Sequence, residues 1–322
     1  MDYGRENSMD WVLWKTANLD MNQRRAHNDN QGKIIWLIGS SILRESLSES
    51  WLNEQLASMD SEYRIIMLSM DRGNAGLAFG FLNKIQLQKG DIVIHNVSMN
   101  NFKTNWLNDF STFTGADLMR VIDQQDLWEI EEWGLADKLE QASAIPPNFW
   151  GNHGTYMNGL TRWFTNGVQL KKPKQARTRY HLTHKNIEFE KNISTNISSK
   201  YYIPQNGFDF SERQFNVQGL QKMKTICDEH SVQFALFYIP PRQQYLAEMV
   251  HQDARQEYEK FLENLNYDLY YFPQLPETDY YDLTHPNFRG REQHNQYFLG
   301  WLTTPQKGEF PALTWAIPEY NK

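Results

Sequence analysis

Two short segments near opposite ends of the chain carry side chains that could work together in nucleophilic chemistry. Asp282 precedes His285 by three residues, and a carboxylate at that spacing can orient a neutral imidazole as a general base. The partner for such a base is Ser41, because the apolar run 34–38 breaks at Gly39 and leads to this serine. A buried strand that ends in this way exposes a serine hydroxyl before a helix. We therefore predict a triad of Ser41, His285 and Asp282.

Apolar runs alternate with helical patterns along much of the chain, and this βαβ rhythm predicts a parallel sheet. Strands are expected at residues 34–38, 64–68, 91–97, 232–239 and 268–272. Helices are expected at about 42–57, from Asn74 onward, from 245 to 265 and at 287–302. The three triad residues then lie beyond the carboxyl ends of strands, where open α/β sheets form their binding crevices.

Four short blocks occur in an order that resembles the SGNH, or GDSL-type, hydrolase superfamily. Gly39-Ser40-Ser41 resembles the first block, and Asp282-Leu283-Thr284-His285 resembles the last, which carries the acid and the base. Asp71-Arg72-Gly73-Asn74 resembles the second block and Ser98-Met99-Asn100-Asn101 the third. Most members carry aspartate in place of Ser40 and glycine in place of Ser98. The Gly-Ser-Ser first block is similar to a subset that includes the D-alanylation protein of teichoic acid synthesis and some polysaccharide acyl-modification proteins.

The resemblance implies a three-layer α/β/α fold around a flavodoxin-like parallel sheet. It also implies an oxyanion hole made of the backbone N–H groups of Ser41 and Gly73 and the side-chain amide of Asn100. The implied activity is that of a serine esterase acting on O-acyl, in particular O-acetyl, esters of a carbohydrate or cell-surface polysaccharide. An O-acyltransferase could use the same triad, and a non-catalytic member of a polysaccharide-modification system could keep the fold for binding.

Each of these positions also has a simpler interpretation. Serine is a common N-cap, so Ser40 is either an alternative nucleophile or a residue that caps the following helix. Asn100 could bridge loop amides, as asparagine often does in turns. Gly76 competes with Gly73 for the second block. We favour Gly73, because Asn74 has the character of a helix start and apolar residues follow it at helical spacing.

The positions of the blocks suggest how the chain is organised. Residues 1–31 are polar with a small apolar patch at 11–14, and we expect an N-terminal extension there. Residues 32–322 are expected to form the hydrolase-like domain, with a large, mostly helical and aromatic-rich insertion at about 103–230. The basic run 171–179 is either a cradle for an anionic polymer or a solvated loop. His181 and His184 follow it without the carboxylates that would favour a metal site.

Composition excludes several classes of protein. The formal net charge of −7 argues against a general nucleic-acid-binding protein. The single cysteine, Cys227, excludes an internal disulfide and a cysteine-based zinc cluster. Its helical pattern with Leu220, Met223 and Ile226 predicts a buried thiol rather than a nucleophile. We expect neither a cofactor nor a metal.

The expected partner is an acylated carbohydrate or polysaccharide, together with a possible partner protein of a modification assembly. The 11 Trp, 16 Tyr and 18 Phe residues suit stacking on sugars, although packing in the core and the insertion accounts for most of them. No segment has the apolar length of a membrane span, and the N-terminus lacks the pattern of a signal peptide. Because the Gly-Ser-Ser relatives often work outside the cytoplasm on an N-terminal anchor, we favour a periplasmic or cell-surface location over a cytoplasmic one.

Overall fold

The computed structural model describes residues 33–70, 73–103, 207–243 and 252–303, together with Val12. Several predictions lie outside these residues: most of the N-terminal extension, the insertion up to residue 206, the basic run 171–179, His181 and His184. Val12 is helical and only 1% exposed, and it joins the main apolar core.

A five-stranded parallel sheet forms the centre of the described chain, with the strand order β2-β1-β3-β4-β5. Most side chains on both faces of the sheet are apolar, as expected for a parallel sheet covered on both sides. The α/β fold with a parallel sheet is therefore confirmed. The strands are β1 Lys33–Gly39, β2 Tyr63–Ser69, β3 Ile92–Val97, β4 Gln233–Tyr238 and β5 Asp268–Tyr271.

Helices cover the two faces of the sheet. The helices are α1 Ser41–Ser46, α2 Glu49–Ser58, α3 Ala75–Leu82, α4 Phe215–Glu229, α5 Gln252–Asn264 and α6 Phe288–Thr303. α3, α4 and α5 share one apolar core with the sheet, whereas α1, α2 and α6 share the core on the other face. No helix in the part of the chain that the structure describes is long and apolar enough to cross a membrane.

The helix expected at about 42–57 is in fact two helices, α1 and α2. The break lies at Ser48, whose hydroxyl accepts a hydrogen bond from the backbone N–H of Trp51 at 3.4 Å and so caps α2. The backbone N–H of Ser48 donates to the side-chain oxygen of Asn295 on α6 at 2.8 Å. A serine that starts a new helix competes with continuation of the old one.

Helix α4 occupies the last part of the segment that we expected to be an insertion. It packs against α3 and the sheet, so residues 215–229 contribute directly to the α/β core. Cys227 lies within α4 and is fully buried, as predicted. Burial raises the pKa of its thiol to about 12, so the thiol is protonated and a poor nucleophile at neutral pH.

Asp91 fixes the edge of the sheet at the amino ends of the strands. Its carboxylate accepts hydrogen bonds from the backbone N–H of Ile34 at 2.9 Å, the backbone N–H of Gln88 at 3.1 Å and the indole N–H of Trp36 at 3.2 Å. Asp91 was expected to be the first residue of the third strand, but β3 begins one residue later. The buried carboxylate instead ties the start of β1 to the turn before β3.

Candidate active site

Ser41 lies at the junction of β1 and α1. β1 ends at Gly39, Ser40 is the N-cap, and Ser41 is the first residue of the helix. The first backbone N–H groups of a helix have no partner within the helix. The backbone N–H of Ser41 therefore has no partner within α1.

Ser40 has a structural role in this turn. Its hydroxyl accepts from the backbone N–H of Ile42 at 3.2 Å and donates to Asn96 Oδ1 at 3.0 Å. Its exposed fraction is 7%. Because the Ser40 hydroxyl is buried and both donates and accepts a hydrogen bond, the structure favours a role as N-cap over a role as an alternative nucleophile.

The structure brings the three predicted triad residues together. Ser41 Oγ lies 2.9 Å from His285 Nε2, and His285 Nδ1 lies 2.9 Å from Asp282 Oδ2. The side chains of His285 and Asp282 are each 14% exposed. This chain of hydrogen bonds joins residues that are 244 positions apart in the sequence.

The electrostatics of Asp282 fix the direction of these hydrogen bonds. Burial alone would raise the pKa of Asp282, but attraction to His285 and hydrogen bonds from the His285 ring and from the backbone N–H groups of Thr284 and His285 outweigh it. The net result is a pKa well below the usual range for aspartate. An ionised Asp282 can only accept, so Nδ1 of His285 carries a proton and donates it. In the neutral ring Nε2 is then the acceptor for the Ser41 hydroxyl.

The loop from 280 to 286 is built to hold Asp282 and His285 in register. Asp282 Oδ1 accepts from the backbone N–H groups of Thr284 and His285, both at 2.8 Å. Aspartate often makes hydrogen bonds of this kind to backbone N–H groups that follow it in a turn. The backbone N–H of Tyr281 donates to the carbonyl of His285 at 2.9 Å and closes the loop. These backbone hydrogen bonds therefore hold the carboxylate of Asp282 beside the ring of His285.

Gly73 lies directly against the end of β1. A side-chain Cβ at this position would come within 2.4 Å of the Gly39 carbonyl oxygen, so only glycine fits without a shift of the backbone. The backbone N–H of Gly73 donates to the Met70 carbonyl at 3.1 Å. Asn74 caps α3 through a hydrogen bond from Leu77 N at 3.0 Å, which confirms the predicted helix start. The competing glycine, Gly76, lies inside α3.

Asn100 lies in a short 3-10 turn, Met99–Phe102, directly after β3. β3 is the neighbour of β1 in the sheet, so this turn and the Ser41 turn lie at the same edge. Ser98 N donates to Asn101 Oδ1 at 3.2 Å and closes the turn. The structure thus places the described residues of the four predicted blocks beyond the carboxyl ends of strands, whereas Asp71 and Arg72 of the second block lie outside the described residues.

Two buried asparagines of the site region were not singled out from the sequence. Asn96 is 1% exposed and receives the Ser40 hydrogen bond. Asn216 on α4 is fully buried and bonds to backbone groups of Gly76 and Asn101. The only signal in the sequence was an amide residue within an apolar segment, because a buried amide must find partners.

No family model matches the chain, and no curated protein matches it either. The interpretation of the site therefore depends on its geometry and on the four blocks. Among the residues that the structure describes, no group of three or more His, Cys, Asp and Glu side chains could hold a metal ion.

Proposed function

We propose that this protein is an SGNH-type serine esterase that hydrolyses O-acyl, in particular O-acetyl, esters of a carbohydrate. The observation that carries the proposal is the continuous hydrogen-bonded chain from Ser41 Oγ through His285 to Asp282. A serine, an oriented neutral imidazole and an ionised carboxylate in this order form the arrangement that activates a hydroxyl nucleophile. The strand order β2-β1-β3-β4-β5 also fits a flavodoxin-like sheet.

In the first step Ser41 Oγ attacks the ester carbonyl carbon while His285 Nε2 takes the hydroxyl proton. The charge of Asp282 stabilises the imidazolium that forms. Collapse of the tetrahedral adduct breaks the bond to the leaving alcohol, which receives the proton from His285. The product of this step is an acyl ester on Ser41.

In the second step a water molecule replaces the alcohol. His285 removes a proton from the water, the hydroxide attacks the acyl carbon, and Ser41 Oγ leaves with the proton. If a sugar hydroxyl enters in place of water, the acyl group is transferred rather than released. The same residues therefore serve an esterase and an O-acyltransferase.

The oxyanion of each adduct would be bound by the backbone N–H groups of Ser41 and Gly73 and by the amide of Asn100. Loss of one such donor typically costs about 3 kcal/mol of transition-state stabilisation. Because the N–H of Gly73 donates to Met70, it can contribute only if this hydrogen bond opens when substrate binds.

That hydrogen bond also favours a second candidate function, which is non-catalytic binding of an acylated partner in a polysaccharide-modification assembly. In the arrangement seen here the Gly73 donor is already engaged with the Met70 carbonyl. A protein that binds an ester without cleaving it has no need of that donor.

Hydrolysis of p-nitrophenyl acetate tests the proposal. We would compare the wild type with Ser41→Ala and His285→Ala, and with Ser40→Ala as a matched control that removes the neighbouring hydroxyl. We expect rapid release of p-nitrophenol by the wild type, a loss of at least about 1,000-fold in both triad variants, and retained activity in Ser40→Ala.

Labelling with a fluorophosphonate gives an independent test, because this reagent reacts with an activated serine and needs no sugar-specific contacts. Mass spectrometry should place the adduct on Ser41 in the wild type and find none in His285→Ala. A wild type that neither hydrolyses the ester nor takes the label would contradict the esterase and support the binding protein. Faster release with added sugar acceptors, together with an acylated sugar product, would identify the transferase.

A further inference from the structure

Asn216 bridges two backbone segments that belong to different parts of the candidate active site. Its side-chain oxygen accepts from the backbone N–H of Gly76 at 3.2 Å, and its side-chain nitrogen donates to the carbonyl of Asn101 at 2.5 Å. Gly76 lies in the first turn of α3, and Asn101 lies in the turn after β3. One buried amide therefore joins the segment that follows Gly73 to the turn that contains Asn100.

We propose that Asn216 is a positioning residue that holds the two oxyanion-binding segments at a fixed separation. This inference rests on the proposed esterase function. Asn216 does not contact the reacting atoms in this proposal; it acts through Asn100, with the start of α3 as its fixed anchor.

The surroundings of Asn216 make this bridge rigid. Its exposed fraction is 0%, so no water competes for either hydrogen bond. Its own backbone N–H donates to Gln214 Oε1 at 2.6 Å, which fixes the first turn of α4. The Gln214 side-chain nitrogen donates to the same Asn101 carbonyl at 3.2 Å. The Asn101 carbonyl thus receives two amide donors from α4.

Helices α3 and α4 are in close contact beside Asn216. A side chain at Gly76 would clash with the Phe215 ring, which lies next to Asn216 in the chain. With the helices this close, a displacement of α4 moves the start of α3 as well. Few residues other than asparagine can both donate and accept at this position.

The role predicts a specific kinetic effect for Asn216→Leu, which is close in volume but removes both hydrogen bonds. We expect kcat for p-nitrophenyl acetate to fall about 30-fold, with KM changed by about twofold or less, because donors misplaced from the oxyanion weaken the transition state alone. Asn216→Asp keeps an acceptor for Gly76 but loses the donor to Asn101. Its kcat should fall in the same direction, and it provides a second variant should Asn216→Leu fail to fold.

Asn53 provides a matched control in the same protein. Its side chain also makes one accepting and one donating bond to backbone groups, with Ile65 N at 2.8 Å and Ile65 O at 2.9 Å. These bonds join α2 to β2 and involve none of the predicted site residues. Asn53→Leu should lower the thermal midpoint but leave kcat within about twofold of the wild type.

A double-mutant cycle with Asn100→Ala separates positioning from general destabilisation. If Asn216 acts through Asn100, Asn216→Leu should cost much less in the Asn100→Ala background, about fivefold or less in place of about 30-fold. An equal loss in both backgrounds, or an unchanged kcat in a folded Asn216→Leu, overturns the positioning role while the esterase stands. A wild type that neither hydrolyses the ester nor takes the fluorophosphonate label overturns the esterase and this inference together.

Discussion

The hydroxyl of Tyr280 donates a hydrogen bond to the carbonyl of Pro240 at 2.9 Å. This contact joins the loop that carries Asp282 and His285 to the segment that follows β4. Gln274 reinforces it by donating to the Tyr280 hydroxyl at 2.8 Å. Tyr280 is 1% exposed, so its hydroxyl is shielded from water.

Tyr280→Phe should therefore affect both stability and catalysis. It leaves the Pro240 carbonyl without its donor, and we expect a loss of about 1–2 kcal/mol in the free energy of unfolding. We also expect kcat to fall about three- to tenfold, because the loop that carries Asp282 and His285 loses the hydrogen bond that fixes its position. Urea unfolding and ester hydrolysis measure the two effects.

Tyr258→Phe is the control for that experiment. Tyr258 is also buried, at 3% exposed, but its hydroxyl makes no hydrogen bond in the described part of the chain. Removing this hydroxyl should leave stability unchanged or raise it. Equal losses in both variants would mean that the Tyr280 hydrogen bond contributes nothing specific.

Asp282→Asn should lower kcat by about 1,000- to 10,000-fold, because the amide neither holds the required tautomer of His285 nor stabilises its charge. The substitution also removes a pH-dependent contribution to stability. The pKa of Asp282 is lowered in the folded protein, so its carboxylate stabilises the fold above about pH 4 and this contribution is lost as the pH falls through the lowered value. The difference in unfolding free energy between wild type and variant should therefore shrink from pH 7 to pH 3. A constant difference would contradict this account.

Two buried histidines predict a further loss of stability in mild acid. Burial lowers the pKa of His95 and of His294 to about 4 in each case, against about 6.5 in an unfolded chain. Between these values the unfolded chain binds more protons, so stability is full above about pH 6.5 and falls as the pH drops toward 4. Urea unfolding at several pH values should show a shallower dependence in His95→Met than in the wild type. Above pH 7 the two curves should run parallel.

Substitutions of Asp91 test whether the amino ends of the strands are energetically independent of the carboxyl ends, where the triad residues lie. Asp91→Ala leaves three backbone or indole donors without their acceptor, and we expect a loss of roughly 3 kcal/mol or more in unfolding free energy. Asp91→Asn keeps one acceptor oxygen and should lose less. Because Asp91 lies at the edge opposite the triad, ester hydrolysis per folded molecule should match the wild type in both variants. A selective fall in kcat would show that the amino ends and the carboxyl ends of the strands are coupled.

The strands, and the segments that hold Ser41, Asp282 and His285, could be predicted because their signals are local. Each strand is an apolar run; the block around Ser41 follows β1 directly, and the block around His285 lies in the loop beyond β5. The cap at Asn74 was visible for the same reason, since a helix start is encoded within four or five residues.

The positions of Asn96 and Asn216 could not be predicted in the same way. Each is a single polar residue whose partners come from distant segments, such as Ser40 for Asn96 and Asn101 for Asn216. For the same reason the sequence did not show that α4 packs in the α/β core. Its helical pattern was visible, but its packing against α3 depends on contacts between residues about 140 positions apart in the chain, such as the hydrogen bond from Gly76 to Asn216.

The separation of Ser41 from His285 also sets the order of events during biosynthesis. Ribosomes add about 5–20 residues per second, so the 244 positions between the two residues take roughly 12–50 s to translate at that rate. Throughout this interval the nascent chain holds the serine without its base. From the synthesis of β3 until β4 follows it, the edge of β3 that later pairs with β4 also stays open. An exposed strand edge invites pairing with other chains. Chaperones that bind nascent chains would therefore meet a half-formed sheet, and any chemistry that needs both Ser41 and His285 could begin only after nearly all of the described chain has left the ribosome.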